Sequence, residues 1–335
     1  MRVLLPILLA LTVSGLVLLV LGKNPLVYYG DVVERGLFNW GGFQATINRM
    51  TPLLLIAAGL VVSFQAGIWN LGTDGQFLLA AMATAALSPV LIGVMPWSLA
   101  IAISLAVAAI VGAAWSLMPA FLKAIYGVNE IITSLMMSFL GISLASALIK
   151  IPFRDPSTSV PQTLVLPVPE RLPRLFGTTI HCGILVALAA VVLVHILMTR
   201  TSFGLKLRIV GSNPRAAAHA GLSVAKLTFA TFALSAALAG LAGAVEILGV
   251  QGTMRADWNP AYGLLVVPLV FLARFHAAGV IAFTLCFAVL MIGGESAARR
   301  VGVPQHFVLL LVGTLLLFLA LVDYLDQRRR RLATE

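Results

Sequence analysis

Charge is scarce in this sequence. Asp, Glu, Lys and Arg make up 10% of its 335 residues, where a soluble domain carries about 25%. Such a chain cannot clothe a globular surface in water, which excludes a soluble enzyme or binding domain. Cysteine is scarcer still, with Cys182 and Cys286 alone. Metal sites want several clustered Cys or His ligands, and a disulfide framework wants more cysteines than this. The histidines (His181, His195, His219, His276 and His306) are scattered without ligand spacing. Catalytic signatures are missing too: there is no H-E-x-x-H, no G-x-S-x-G and no paired-Asp cluster on a helix. Gly204-Leu205-Lys206 lacks the phosphate-cradling glycines of a nucleotide-binding loop. The chain is not expected to be an enzyme, to hold a cofactor or to hydrolyse ATP by itself. No basic, aromatic-studded soluble region is present to bind nucleic acid.

Apolar length is what the chain has in abundance. Hydrophobic residues are 60% of it, and mean hydropathy is +1.04. A run of about 20 apolar residues crosses a bilayer as a helix. Ten such stretches lie near 3–22, 50–66, 75–94, 97–120, 129–150, 182–198, 227–249, 262–275, 277–294 and 305–324. The expected fold is an all-α, polytopic membrane protein with a single transmembrane domain over 1–335. The pair 262–294 reads either as a tight helical hairpin or as one long kinked span. Residues 1–22, opening with Arg2, exceed the apolar core of about 7–15 residues of a signal peptide and lack its small-residue cleavage pattern. They read as a first span.

Ten spans put both termini on one side, and the positive-inside rule selects it. Arg200, Lys206, Arg208, Arg215 and Lys226 crowd the loop 199–226, which has no Asp or Glu, and Arg328–Arg331 fill the tail. Both segments are expected in the cytoplasm. The net charge of +10 then reflects topology and anionic headgroups. The polar stretches 23–49 and 151–180 are expected outside. The second is stiffened by Pro152, Pro156, Pro161, Pro167, Pro169 and Pro173 and reads either as a docking surface or as a plain connector. Setting spans one and six aside leaves two groups of four, 50–150 and 227–324, entering from opposite sides. That is the pattern of an inverted repeat.

Three segments carry polar character into this apolar background. Ala66-Gly67-Ile68-Trp69-Asn70-Leu71-Gly72-Thr73-Asp74-Gly75-Gln76 interrupts a run that is apolar from Leu53 to Val94. Exposed backbone does not survive in hydrocarbon, so the segment must be buried in protein or line a watery cavity. It reads as a broken helix beside a pathway or as a turn whose Thr73 or Asp74 caps the next helix. Asn129 and Glu130 read as an N-cap and a first-turn acid. Glu246 lies within a span, where an ionisable group faces the protein interior or reaches the headgroups. Gly240, Gly243 and Gly249 with Ala236, Ala237 and Ala239 make the seventh span small-faced, which permits close packing.

The basic loop holds the sharpest local signature. In Asn213-Pro214-Arg215-Ala216-Ala217-Ala218-His219-Ala220-Gly221, asparagine suits an N-cap, proline the first helical position and glycine the C-terminal stop. A short, capped surface helix is expected there.

These residues resemble a known family. Thr201-Ser202-Phe203-Gly204 through Arg208-Ile209-Val210-Gly211-Ser212-Asn213-Pro214-Arg215 to Ala220-Gly221-Leu222 is similar to the cytoplasmic coupling loop of binding-protein-dependent ABC importer permeases. It matches the group for ribose, branched-chain amino acids and nucleosides. The Ala66–Gln76 segment, the Gly127–Glu130 opening and Ala239–Glu246 are similar to the nucleoside and simple-sugar branch. The chain departs from the pattern at Asp74, where Glu is common, and at Asn129, where His is common. The resemblance implies a type II importer fold in a bacterial inner membrane, a second permease subunit alike or different, cytoplasmic ABC ATPase subunits that bind the ATP, and an extracytoplasmic solute-binding protein. It implies a nucleoside or related ribosyl compound as cargo, with a simple sugar such as ribose as the alternative and an ion-coupled transporter behind both. Asn70, Asp74, Gln76 and Glu246 are then pathway candidates. Asn213, Pro214, Arg215 and Gly221 are coupling candidates.

Overall fold

The computed structural model of the chain describes residues 4–304 and 307–332. Arg2 and His306 lie outside the described residues. The helices are α1 (Leu4–Val20), α2 (Pro25–Val33), α3 (Trp40–Gln65), α4 (Thr73–Ile92) and α5 (Trp97–Tyr126). Then follow α6 (Glu130–Lys150), α7 (Gly183–Arg200), α8 (Ser202–Ser212) and α9 (Pro214–His219). The last four are α10 (Val224–Glu246), α11 (Tyr262–Leu272), α12 (Ala277–Val301) and α13 (Phe307–Leu332). No strand occurs among the described residues.

Among the described residues, seven helices are long and apolar enough to cross a membrane: α3, α4, α5, α6, α7, α10 with its π-helical extension to Gln251, and α12. The expected first and eighth spans are shorter. The apolar part of α1 covers Leu5–Val20, and α11 covers Tyr262–Leu272. At 1.5 Å rise per residue the latter is about half a bilayer long. The 262–294 pair is two separate helices. They are joined by a turn at Arg274 and Phe275, both with positive φ (51° and 60°).

The stretch 23–49, expected as a loop, is helical instead. Asn24 caps α2 by accepting the Leu26 N–H at 2.9 Å, Pro25 takes the first position, and a π-helical turn Glu34–Phe38 leads into α3. The physical reason is the same Asn-Pro signature as at Asn213-Pro214.

The backbone divides into two compact units, residues 1–49 with 285–335, and residues 50–284, whose boundaries fall inside α3 and α12. In the first, Leu18, Tyr28, Val32, Ala297, Ala298, Val303 and Phe307 form one apolar cluster. Arg300 bridges to buried Asp31 at 2.8 Å.

The second unit is organised around α10. A Cβ at Gly240 would land on the Ala108 carbonyl of α5, and one at Gly243 on the Phe77 carbonyl of α4. The small face of this helix is therefore architecture: it lets three backbones approach where side chains would hold them apart.

The proline-rich segment between α6 and α7 is more than a connector. Residues 161–166 run alongside 252–256: the Thr163 N–H donates to Met254 O (3.0 Å), Leu166 N–H to Gly252 O (2.7 Å) and Ala256 N–H to Pro161 O (3.0 Å). Arg171 donates to Leu166 O and Val250 O, each at 2.9 Å. Asp155 accepts from the hydroxyl and N–H of Ser157, which hold its carboxyl below the usual range.

His181, just ahead of α7, is 1% exposed, and burial pushes its pKa down to about 4. A folded-state pKa below the unfolded value near 6.5 means the neutral ring stabilises the fold above that pH. The stabilisation is lost as pH falls towards 4. We expect about 2 kcal/mol of stability to vanish between about pH 7 and about pH 5. Thermal unfolding of the detergent-solubilised protein at the two pH values should show this fall, and the His181→Phe variant should flatten it.

Candidate functional site

The interrupted segment 66–72 buries Ala66, Ile68, Asn70 and Gly72 in protein and leaves Gly67 and Trp69 exposed. α3 ends at Gln65, and Gly67, two residues on, takes a φ of +68° that suits glycine. The Ile68 N–H returns to Ser63 O at 2.9 Å and the Gly67 N–H to Phe64 O at 3.0 Å, a Schellman closure that satisfies the last carbonyls of α3. The chain then runs without helix from Ile68 to Gly72, turning where the Leu71 N–H returns to Trp69 O at 3.2 Å.

Asn70 and Gln76 hold that stretch to α4 and α10. Asn70 is 0% and Gln76 1% exposed. Their amides pair reciprocally: Asn70 Nδ2 donates to Gln76 Oε1 (3.1 Å) and Gln76 Nε2 donates to Asn70 Oδ1 (3.0 Å). Asn70 Oδ1 also accepts the Gly72 N–H at 3.2 Å, and Nδ2 donates to Ser235 Oγ of α10 at 3.2 Å. Each amide atom of Asn70 thus has two partners, as burial of a polar group demands. Two serines on α6 serve the same backbone: Ser134 Oγ accepts the Leu71 N–H (3.1 Å) and Ser138 Oγ the Gly75 N–H (3.0 Å). Sequence reasoning missed Ser134, Ser138 and Ser235. The four-residue spacing of the first two, on one face of α6, was the available signal.

Asp74 does not cap its own helix, contrary to the sequence reading. The α4 N-cap is Gly72, with no side-chain cap from Thr73 or Asp74. Asp74 instead reaches α11, where its Oδ1 accepts the Gly263 N–H at 2.6 Å. The N-cap of α11 is Ala261, which has no side chain able to do this. One buried carboxylate, 5% exposed, therefore stands in the first turn of α4 and at the first turn of α11. Both positive helix ends favour it.

Glu246 is not part of this constellation. It ends α10, eleven residues beyond Ser235, is 3% exposed, and accepts from Gln251 Nε2 at 3.1 Å. That burial removes the reading in which it reaches outward to headgroups. The structure joins Asn70 to Gln76, places Asp74 beside them on α4, and leaves Glu246 apart. Asn129 accepts the Ile131 N–H at 2.9 Å, and Glu130 pairs with Lys123 at 2.7 Å, so both serve the start of α6.

The basic loop folds as read, with one addition. Asn213 Oδ1 accepts the Ala216 N–H at 3.0 Å, Pro214 opens α9, and Gly221, with φ +80°, closes it while the Leu222 N–H returns to Ala217 O at 3.0 Å. Arg215 is exposed and Ala217 is buried. The addition is α8, capped by Thr201, whose Oγ1 accepts the Gly204 N–H at 3.2 Å. Leu207 and Val210 of α8 are buried. At Gly211 the α8 backbone lies directly on that of Gln65–Gly67, with no room for a Cβ. The exposed helix α9 is thereby connected, through α8, to the segment that carries Asn70.

Comparison with known proteins identifies the family. The family described as branched-chain amino acid transport system / permease component matches residues 43–320. The glucose ABC transporter permease protein TsgB13 of Haloferax volcanii is 34% identical, over 97% of this chain and 88% of its own. The guanosine ABC transporter permease protein NupP of Bacillus subtilis is 28% identical, over 95% and 92%. The nucleoside ABC transporter permease protein NupB of Lactococcus lactis is 25% identical, over 92% and 86%. No solved structure matches the chain. With its apolar helices, its buried polar break and its capped surface helix, the chain belongs to the ABC importer permease family, as a multi-pass membrane component and not an enzyme.

Proposed function

We propose that this chain forms the translocation pathway of an ABC importer for a nucleoside or a simple sugar. Permeases of this family work with ATPase and binding-protein partners. Here the cytoplasmic ATPase grips α9 through Arg215, and a second permease subunit, alike or different, completes the pathway. The solute-binding protein docks on the proline-rich segment 151–180. The protein sits in the inner membrane with both termini in the cytoplasm.

The observation that carries this reading is the packing of Gly211 on Gln65–Gly67. Force applied at α9 arrives, through α8, at the break that Asn70 and Gln76 hold closed. A switch of this kind needs two states whose balance both ATP and the loaded binding protein bias. The hydrogen bonds of Asn70 to α4 and α10 are contacts that one state makes and the other exchanges.

The nucleoside reading draws on the guanosine and nucleoside permeases. The sugar reading is favoured by the higher identity to the glucose permease. Uptake of radiolabelled guanosine and glucose into proteoliposomes holding the permease, its ATPase and its binding protein separates the two. Transport is expected only with ATP inside and the ATPase present. Uptake driven by a proton gradient without the ATPase would overturn the proposal.

A further inference from the structure

The segment 252–261 repeats, in sequence and in shape, the break before α4. Trp69-Asn70 precedes α4, and Trp258-Asn259 precedes α11. Asn70 Oδ1 accepts the N–H two residues on, that of Gly72, at 3.2 Å; Asn259 Oδ1 does the same with Ala261 at 2.9 Å. Both helices open beside Asp74. The surroundings of the two asparagines differ. Asn70 is wholly buried with every amide atom engaged. Asn259 is exposed, and its amide nitrogen is committed to no group among the described residues.

Asn259 stands instead on the wall of a cavity of about 660 Å³. That falls within the range of about 300–1,000 Å³ usual for small-molecule sites. Asp257 and Trp258 join it from the same segment, and Ser143, Ser146 and Lys150 face it from α6. Spacings of three and four residues place those three on one stripe of α6. Ser134, Ser138 and Gly141, buried on another stripe of α6, do not line the cavity. Ser143 and Ser146, with Lys150 at the helix end, give the cavity a polar wall on this side. Trp258 packs one side of its ring on Phe77, with centroids 5.8 Å apart, and is half-buried.

We propose that this cavity is the station at which the solute rests between the binding protein and the closed break at Asn70. The ligand class is a small ring compound rich in hydroxyls. Its flat or C–H face lies on Trp258, where an aromatic ring supplies apolar area. Its hydroxyls or ring-edge groups meet Asn259, Ser143 and Ser146. The wall is also tied to the docking segment, since Thr163 and Pro161 bond to Met254 and Ala256. Arrival of a loaded binding protein is thus felt at the cavity. This rests on the reading of the chain as a nucleoside or sugar permease.

The test uses the assembled importer in proteoliposomes. Ser143→Cys is placed in a background with Cys182→Ser and Cys286→Ser, and its labelling by a maleimide is timed with the binding protein empty, loaded with guanosine or loaded with glucose. The solute that wild-type importer takes up is expected to slow labelling about tenfold over the empty protein, and the other solute to leave it unchanged. In parallel, Trp258→Ala should lower uptake about tenfold with ATP hydrolysis retained, and Trp258→Phe should restore most of it. A transported solute that leaves labelling unchanged, or Phe and Ala variants equally impaired, overturns the cavity assignment alone. If the wild-type importer takes up neither solute, the substrate reading falls and the assignment with it. The labelling arm keeps Trp258 intact, so it decides the matter even where the alanine variant does not fold.

Discussion

Gly211→Ala is expected to cut ATP-driven uptake by more than about tenfold while the assembled importer still hydrolyses ATP. A Cβ at this position would meet the Gln65 carbonyl and the backbone of Ala66 and Gly67. Those are main-chain atoms and have no rotamer by which to give way. α8 must therefore lift from the end of α3, and a lever that has lifted transmits less. ATP hydrolysis needs only that the ATPase engage α9, whose own caps at Asn213 and Gly221 are untouched. The measurement is a pair of rates, solute uptake and phosphate release, on the same proteoliposomes. Equal loss of both would mean that the substitution had damaged assembly and not coupling. Thermal unfolding of the variant alone gives the check on folding.

Asp74→Ala should cost the fold about 3 kcal/mol or more, because it leaves the Gly263 N–H unpaired inside protein. Two helix ends also lose the negative charge that favours both. Asp74→Asn keeps an acceptor oxygen at the same place and should cost much less, so the two variants separate hydrogen bonding from bulk. Thermal or denaturant unfolding in detergent reads the difference. The same contrast in uptake shows whether the charge matters beyond the cap. If the alanine variant is as stable as wild type, the joint capping of α4 and α11 is wrong.

Much of the fold was legible because local chemistry decides it. Hydrophobic length places the long helices. Asn213-Pro214 and Gly221 bound α9, and Asn129 opens α6, since a cap needs only its neighbours. The same signature at Asn24-Pro25 announces α2, yet the surrounding polar composition favoured a loop over 23–49. α8 was hidden within a basic loop whose charges spoke of topology and drew attention from Thr201 and its cap. What sequence could not show was pairing over distance. Asp74 meets Gly263 across 189 positions, and Asn70 meets Ser235 across 165. Nothing local to Asp74 distinguishes capping its own helix from capping another. That the segment 66–76 is buried in protein or lines a watery cavity did follow from the cost of unpaired groups in hydrocarbon. Its counterpart at Trp258-Asn259 escaped because Pro260 and Ala261 stand where the first break has Leu71 and Gly72.

The most direct test of coupling through α9 is a crosslink. With Cys182→Ser and Cys286→Ser, Arg215→Cys is made in the assembled importer and paired with single cysteines on the ATPase surface, with and without ATP. The account predicts a disulfide between position 215 and the ATPase, formed from the cytoplasmic side, that blocks uptake until it is reduced. A cysteine at 215 that reacts only with reagents outside the membrane, or that never joins the ATPase in an actively transporting complex, would contradict it.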